Sequence, residues 1–238
     1  MVSITESWLR DKPIAHRGLH NSKFPENSIG AFNNALDKGY PIEIDVQITK
    51  DKVLYVFHDY NTYRMTGMDE DIRKINSKQV NSFRLKDTEF TIPTLDEVLE
   101  LVNGKVPVLI DIKSKSAPGH IENLLIKKLD SYSGSVAIQS FNTFSLRYIK
   151  KKAPNLIVGQ LAGNKIHKNA TRLQSWILKD CKVSKIIRPD FLSYNIEDLP
   201  NKSIEKYRKK GMTVIGWTVR NTEDRKKGSI YCDNYVFD

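Results

Sequence analysis

Between Pro13 and Asp59 the sequence sets two histidine-bearing corners, His16-Arg17-Gly18 and His58-Asp59, on either side of an apolar run that carries two carboxylates, Glu43 and Asp45. Residues two apart on a β-strand point to one face, so Glu43 and Asp45 project together while Ile42, Ile44 and Val46 face away. Two acids aimed at one point suit a metal ion or acid/base chemistry. Thr49-Lys50-Asp51-Lys52 then separates two β-rich runs, PIEIDVQI and VLYVFHD, at hairpin spacing. With the turn centred near Asp51, pairing back along the ladder brings His58 level with Glu43 and Asp45. At the front, Ile14-Ala15 is a short apolar strand ending in the His16 corner. Pro25-Glu26-Asn27-Ser28 opens an amphipathic run of Ile29, Phe32, Ala35 and Leu36, with Ser28 or Asn27 as N-cap.

HRG, PENS, EIDV and VFHD, in that order and spacing, resemble the glycerophosphodiester phosphodiesterase family, in its bacterial-type, single-domain form. The likeness continues along nearly the whole chain. Ile92-Pro93-Thr94-Leu95-Asp96-Glu97-Val98-Leu99 is similar to the family's IPTL-x-EVL helix entry, and Val108-Leu109-Ile110-Asp111-Ile112-Lys113 stands where it has an E-x-K strand. Gln139-Ser140-Phe141-Asn142 resembles its SSF turn, Gly216-Trp217-Thr218-Val219 its V-W-T-V strand, and Val236-Phe237-Asp238 its closing I-x-T-D. One departure is chemical, because Asp111 occupies a position where the family motif carries Glu.

The resemblance implies hydrolysis of glycerophosphodiesters to glycerol 3-phosphate and an alcohol. A phosphodiester carries a negative charge that repels an attacking oxygen, so cleavage needs cations on the non-bridging oxygens and a proton for the leaving alkoxide. Glu43, Asp45 and Asp111 are hard oxygen ligands with no cysteine or ligand-spaced histidine pair nearby, which favours Mg²⁺ or Ca²⁺ over zinc; the resemblance gives the same three positions to the metal. Asp111 is one methylene shorter than the family's Glu, so the ion shifts, a water bridges, or affinity falls. Arg17 and Lys113 suit the phosphate, one as a bidentate fork and the other as a point charge. His16 and His58 are left for acid/base work, imidazole having the unperturbed pKa nearest neutrality. The sequence does not assign which is acid and which base, nor whether water or a neighbouring glycerol hydroxyl attacks. Trp217 either stacks on the glycerol or head group or fills the interior. Glu26 reads as a charge complementing a helix N-terminus, Asn27 as a cap or a site contact, and His20, His120 and His167 as surface residues.

The elements that must position these groups alternate strand with amphipathic helix, the pattern of a parallel sheet with helical crossovers. Strands are expected near 13–16, 42–47, 107–112, 135–139, 156–160, 190–194, 213–218 and 234–237. Helices are expected near 28–38, 94–102, 119–130, 142–152, 167–180, 199–210 and 221–227. Thr94-x-x-Glu97 is a capping box. Eight strands close a (β/α)8 TIM-type α/β barrel, with the 53–57 strand as a hairpin appendage and a small insertion after the second strand, about residues 60–91. Catalytic groups of such a barrel come from the C-terminal ends of strands, where His16, Arg17, Glu43, Asp45, Asp111 and Lys113 all fall. Ile72, Ile75, Val80, Phe83 and Leu85 give the insertion residues to pack, and a small cap over the substrate pocket is expected. The last strand has no helix after it, and Ile4, Trp8 and Leu9 are expected to cover the barrel exterior left open there.

With 238 residues and 39% hydrophobic content, the chain suits one barrel domain over residues 1–238, and no Pro/Gly/Ser-rich linker divides it. The sequence lacks a membrane-spanning run and an apolar secretory leader, so the expected compartment is the cytoplasm. Cys181 and Cys232 neither build a disulfide framework nor supply a zinc site. The net charge of +10 is unevenly spread: residues 1–119 hold 16 basic against 17 acidic side chains, and residues 120–238 hold 22 against 11. The densest runs, Lys150–Lys152, Arg208–Lys210 and Arg225–Lys227, each end an expected helix, which places them on the face opposite the catalytic one. That face suits solvated helix ends or peripheral contact with an anionic membrane. Aromatics interleaved with a basic strand are missing, which argues against nucleic acid as a partner. Oligomeric state is not legible. Two other functions compete: a lysophospholipase D-like activity, which needs an apolar trough beside the phosphate site, and a barrel that binds phosphate esters without turnover, suggested by Asp111.

Overall fold

Strand β2 (Ile42–Ile48) is buried on both faces, which a two-layer sheet with one wet side does not do. Ile42, Ile44 and Val46 pack outward against helices, while Glu43, Asp45 and Gln47 point inward. The computed structural model describes residues 8–114, 117–163, 181 and 187–238. In it β1 (Ile14–Ala15), β2, β4 (Val108–Ile112), β5 (Val136–Ser140), β6 (Ile157–Ala162), β7 (Phe191–Asn195), β8 (Thr213–Val219) and β9 (Asn234–Phe237) run parallel, each paired to the next. Because β1 pairs with both β2 and β9, the sheet closes into an eight-stranded barrel. Each strand lies within two residues of its expected bounds. The short strand β3 (Leu54–Val56) pairs antiparallel with β2 as the hairpin appendage.

The crossovers are helical where sequence patterning requires it. Helix α1 (Ile29–Asp37) is capped by the Ser28 hydroxyl, which accepts from Ala31 N–H, and buries Phe32 and Ala35. Two short helices, α2 (Tyr63–Thr66) and α3 (Ser77–Val80), lie in the insertion. Helix α4 (Leu95–Val102) begins at the expected capping box, Thr94 and Glu97 bonding each other's backbone N–H. Next come α5 (His120–Asp130), α6 (Thr143–Lys152), α7 (Lys202–Lys209) and α8 (Thr222–Tyr231). The helix expected over 167–180, the surface reading of His167 and the place of Ile4 lie outside the described residues. No helix among the described residues is long and apolar enough to cross a membrane.

Two expectations change. Trp8 and Leu9 do not cover the outside of the barrel. They are buried with the inward side chains Ile14, Leu109, Ala137, Ile157, Phe191, Ile215 and Val236, so they plug the barrel's N-terminal end. The plug is physically reasonable, since the open end of an apolar interior is a larger uncovered surface than one seam between strands. Inside the barrel a Cβ on Gly159 would lie 2.1 Å from the Phe191 ring, so glycine there is what lets Phe191 reach across to β6. The second change is at Arg225–Lys227. Helix α8 runs on to Tyr231, so these cations are inside it and Gly228 is a buried helical residue beside Tyr235, not a terminating glycine. The other two basic runs do end α6 and α7, the second followed by Gly211 at φ +89°.

The insertion packs as expected from its apolar residues. Met65, Ile72, Ile75, Val80, Phe83, Leu85 and Ile92 form a small core of their own with Tyr55 and Phe57 of the hairpin. Tyr55 fastens it, its hydroxyl donating to Asn81 Oδ1 at 2.5 Å.

Candidate active site

The barrel's C-terminal end gathers the polar side chains that the sequence scatters over more than two hundred residues. Glu43 and Asp45 share the inner face of β2, and Asp111 on β4 is the lateral partner of Asp45. Next to Asp111 on β5 stands Gln139, buried with its Oε1 unpartnered among the described residues. His16 and Arg17 follow β1 directly. Arg17 has φ 55°, a left-handed conformation that turns its backbone N–H toward Glu43 Oε2 at 3.0 Å. Gly18 continues the turn at φ +80°, and a Cβ there would sit 2.8 Å from the Ala31 carbonyl carbon. Only glycine lets α1 approach the corner that closely.

Glu43, Asp45 and Asp111 are all buried, and one carboxylate oxygen of each lies within 4.8 Å of the others. Asp45 is fully engaged. Its Oδ1 is 2.9 Å from Lys113 Nζ, its Oδ2 accepts from Asn27 Nδ2 at 2.8 Å, and Arg17 Nε lies 3.1 Å from Oδ2 as a charge contact without hydrogen-bond alignment. Burial alone would raise the pKa of Asp45, but Lys113 and Arg17 hold it well below the usual carboxylate range. Glu43 goes the other way. Burial and then the charges of Asp45 and Asp111 push it well above the ordinary value. Asp111 is also raised, by burial first, although Lys113 donates to its Oδ2 at 2.5 Å. Its other oxygen, Oδ1, is buried with no hydrogen-bond partner among the described residues. Three converging oxygens, two of them on carboxyls pushed toward neutrality, and one orphaned oxygen among them form a donor set that fits a hard divalent cation. Among the described residues, this cluster contains only oxygen donors.

Each histidine is held by a carboxylate. His16 Nδ1 lies 2.5 Å from Asp238 Oδ1, and His58 Nδ1 lies 2.7 Å from Asp59 Oδ1. Asp238 is kept well below the usual range because hydrogen bonds from His16 and His20 outweigh its burial. Asp59 is held at about 2, its burial outweighed by hydrogen bonds from His58 and Arg64. Both carboxyls are therefore ionised at neutral pH and can only accept, so each ring carries a proton on Nδ1, and the neutral form of either ring has its lone pair on Nε2. Burial is the largest influence on His16 and lowers its pKa below 6.5, against the upward pull of Asp238. The hairpin sets the position of His58. Val46 pairs with Val56, Phe57 N–H donates to Asp45 O, and Gln47 Nε2 donates to the carbonyls of Phe57 and Asp59. This places His58 on the wall of the same cavity as His16.

That cavity, of about 120 Å³, is lined by His16, Arg17, Glu43, Asp45, His58, Asp111 and Lys113 on its polar side, together with Gln139, Thr218 and Arg220. Phe141, Leu161, Trp217 and Val236 form its apolar side, with Trp217 and Phe141 edge to face at 5.7 Å. The eight residues assigned to the site from the sequence, His16, Arg17, Glu43, Asp45, His58, Asp111, Lys113 and Trp217, thus line one space. Several others were read differently or missed. Glu26 does not sit as a helix-end charge. It bridges Arg17 (2.6 Å) and Arg64 of the insertion (2.7 Å), which hold it at about 2 against burial. Asn27 leaves the capping to Ser28 and bonds Asp45. His20 is not a free surface residue either, lying 3.4 Å from Asp238 Oδ1, whereas His120 is exposed as expected. Asp59 and Asp238 were visible only as letters of motifs, and Arg64 and Arg220 carried no local signal. The insertion does not cap the pocket as expected: among the described residues none from 61 to 91 lines the cavity, because its apolar side chains pack on the hairpin, and it reaches the site only through Arg64, which pairs with Asp59 and Glu26.

The sequence model of the glycerophosphoryl diester phosphodiesterase family matches residues 16–231. A protein of Caldanaerobacter subterraneus subsp. tengcongensis named glycerophosphodiester phosphodiesterase is 34% identical over 227 residues, which cover 90% of this chain and 88% of that protein. A Bacillus subtilis glycerophosphodiester phosphodiesterase is 29% identical over 234 residues, covering 89% and 77%. Among solved structures, an Oleispira antarctica phosphodiesterase in complex with the product sn-glycerol-3-phosphate has a TM-score of 0.84 at 21% identity, covering 98% of this chain and 94% of the other. A Thermotoga maritima glycerophosphodiester phosphodiesterase has a TM-score of 0.73 at 24% identity, covering 95% and 94%. At those identities the two structures speak for the barrel fold.

Proposed function

The chain belongs to the glycerophosphoryl diester phosphodiesterase family, and on that premise we propose that it hydrolyses glycerophosphodiesters to glycerol 3-phosphate and an alcohol, using His16 and His58 as the acid/base pair and a divalent ion on Glu43, Asp45 and Asp111. The observation that carries this reading is the meeting of two carboxylate-held histidines with a buried three-carboxylate cluster in one cavity. When bound, Mg²⁺ or Ca²⁺ would supply positive charge for the phosphate oxygens and for the attacking oxygen.

The chain's own residues account for the rest. Arg17 is pre-aimed by Glu26 and by its left-handed backbone, and Lys113 is anchored by Asp45 and Asp111, so both cations reach the cavity without conformational search. Lys113 stays charged because Asp111 and Asp45 outweigh its burial and raise its pKa. Nε2 of one histidine takes the proton of the attacking hydroxyl, and Nε2 of the other, once protonated, delivers one to the departing alkoxide. Asp238 and Asp59 stabilise the imidazolium that each ring becomes on the way. Trp217 and Phe141 give the glycerol or head group an apolar wall. The insertion at about 60–91 acts through Arg64, as a buttress at the edge of one barrel domain.

Incubation with glycerophosphocholine and glycerophosphoethanolamine, with and without Mg²⁺ or Ca²⁺, is expected to release glycerol 3-phosphate only with metal. No release with either ion and either substrate would overturn the proposal. A lysophosphatidylcholine arm tests the lipid reading, which gains from the apolar wall but must fit an acyl chain beside a cavity of about 120 Å³.

A further inference from the structure

His16 and His20 stand four residues apart in the first corner, and both address one oxygen of Asp238. His16 Nδ1 is 2.5 Å and His20 Nε2 is 3.4 Å from Oδ1. One ligand atom from each of the three lies within 4.8 Å of the others. We propose that His16, His20 and Asp238 form a second metal site, selective for Zn²⁺ or a similar borderline cation, and that filling it arrests the enzyme.

The donor set decides the ion. Two imidazole nitrogens and one carboxylate match zinc sites, whereas Mg²⁺ and Ca²⁺ prefer the all-oxygen cluster of Glu43, Asp45 and Asp111. Tetrahedral ligands at about 2.0–2.1 Å from zinc lie about 3.4 Å apart. His20 is already at that spacing from Asp238, and His16 has to open by about 1 Å. Arg220 Nε holds the opposite oxygen, Oδ2, at 2.8 Å, which leaves Oδ1 facing the two rings. The side chains are 13%, 29% and 24% exposed in the order His16, His20, Asp238, so an ion can enter from solvent. Arg220 adds a like charge beside the site and weakens it without contributing or removing a ligand.

Arrest follows from proton bookkeeping on one ring. With Nδ1–H on Asp238, His16 presents a lone pair at Nε2. When the metal takes the Nδ1 lone pair, the proton leaves Nδ1 and the neutral ring carries its proton on Nε2 instead. The nitrogen in the cavity can then accept no proton, and giving one up would leave an imidazolate. This arrest rests on the role proposed for His16 above; the binding of zinc does not.

Equilibrium dialysis against Zn²⁺, with Mg²⁺ saturating, tests the site. Wild type is expected to bind one zinc here, and His20→Ala to bind it about tenfold more weakly or worse. His20→Ala should keep its diesterase activity in Mg²⁺ alone and lose its sensitivity to zinc, and Arg220→Gln should bind zinc more tightly. Raising Mg²⁺ tenfold should leave zinc inhibition of wild type unchanged. Equal zinc affinity in wild type and His20→Ala would overturn the site, as would inhibition relieved in proportion to Mg²⁺, which would place the zinc on the carboxylate cluster. Zinc held through His20 without inhibition would keep the site and overturn the arrest.

Discussion

Replacing Asp238 with Asn changes one charge and almost no volume, and it separates orientation of His16 from its chemistry. The 2.5 Å contact between His16 Nδ1 and Asp238 Oδ1 is a charge-assisted hydrogen bond that strengthens as the ring becomes an imidazolium. Such bonds are worth about 1.5–3 kcal/mol, and about 1.4 kcal/mol is a factor of ten in rate. If the bond acts mainly in the transition state, kcat falls about 10- to 150-fold. Asp238 does not line the cavity, so KM is expected to change little. The pH profile supplies an independent sign. Burial lowers the pKa of His16, and Asp238 is the largest influence opposing it. Removing that carboxylate lowers the pKa further, so the limb governed by His16 moves to lower pH while the plateau drops. Steady-state kinetics on glycerophosphocholine from acid to alkaline pH measures both quantities. A kcat within twofold of wild type, or a limb displaced to higher pH, would refute the reasoning.

Removing the carboxylate cluster should abolish metal binding before it affects folding: Glu43→Gln/Asp45→Asn is expected to show no calorimetric Mg²⁺ or Ca²⁺ isotherm and no turnover, while Asp111→Glu retains or raises affinity. Glu26 is held at about 2 against an ordinary 4.5, so its stabilisation is complete above about pH 4.5 and is lost as pH falls through about 2. At about 1.4 kcal/mol for each tenfold change in proton affinity this comes to about 3.5 kcal/mol, and Glu26→Gln should flatten the acid fall of Tm in that window; an unchanged slope would show that Arg17 and Arg64 gain nothing from it. Reversing Lys151, Lys152, Lys209 and Lys210 to Glu, on helix ends opposite the cavity, should leave kcat/KM on a soluble diester unchanged at low salt. A several-fold fall would mean that their field reaches the substrate, and loss of binding to anionic vesicles with intact kinetics would identify the face as a docking surface.

The parts of the fold that could be read in advance are those governed by short-range rules. The i, i+2 spacing of Glu43 and Asp45, the Thr49–Lys52 turn that brings His58 back, and the Thr94–Glu97 box each depend on a few consecutive residues. What escaped depends on closure of the barrel. Asp238 meets His16 only because β9 pairs with β1, a contact spanning 222 positions. Arg64 reaches Glu26 only because the insertion folds back on the hairpin. The i, i+4 spacing of His16 and His20 was available as a pairing signal, but on a corner that spacing has no fixed geometry, unlike on a helix. Trp8 and Leu9 were recognised as residues needing cover, and misassigned because periodicity says which side chains are buried but not which opening they fill. At Arg225–Lys227 the cue was a glycine, and Gly228 is in the helix for its smallness beside Tyr235.

The charges around the cavity explain why this constellation pairs with this substrate. Glu43, Asp45 and Asp111 contribute three negative charges and Arg17 and Lys113 two positive ones, with the carboxylates buried and both cations largely so. One negative charge is uncompensated, and burial answers by raising Glu43 and Asp111 while leaving Asp45, between the two cations, fully ionised. Of the surrounding acids, Asp238 is offset by Arg220, whereas Asp59 and Glu26 share Arg64 and leave one further negative charge at the rim, outside these five inner groups. A dication on the cluster converts the excess of one negative charge to one positive. A phosphodiester monoanion then brings the sum over the inner groups to zero, and the rim charge adds to the bias against a second negative charge. A phosphomonoester dianion overshoots zero by one, so the same arithmetic that admits the diester favours release of the monoester product, and neutralising Lys113 should weaken product binding by more than substrate binding.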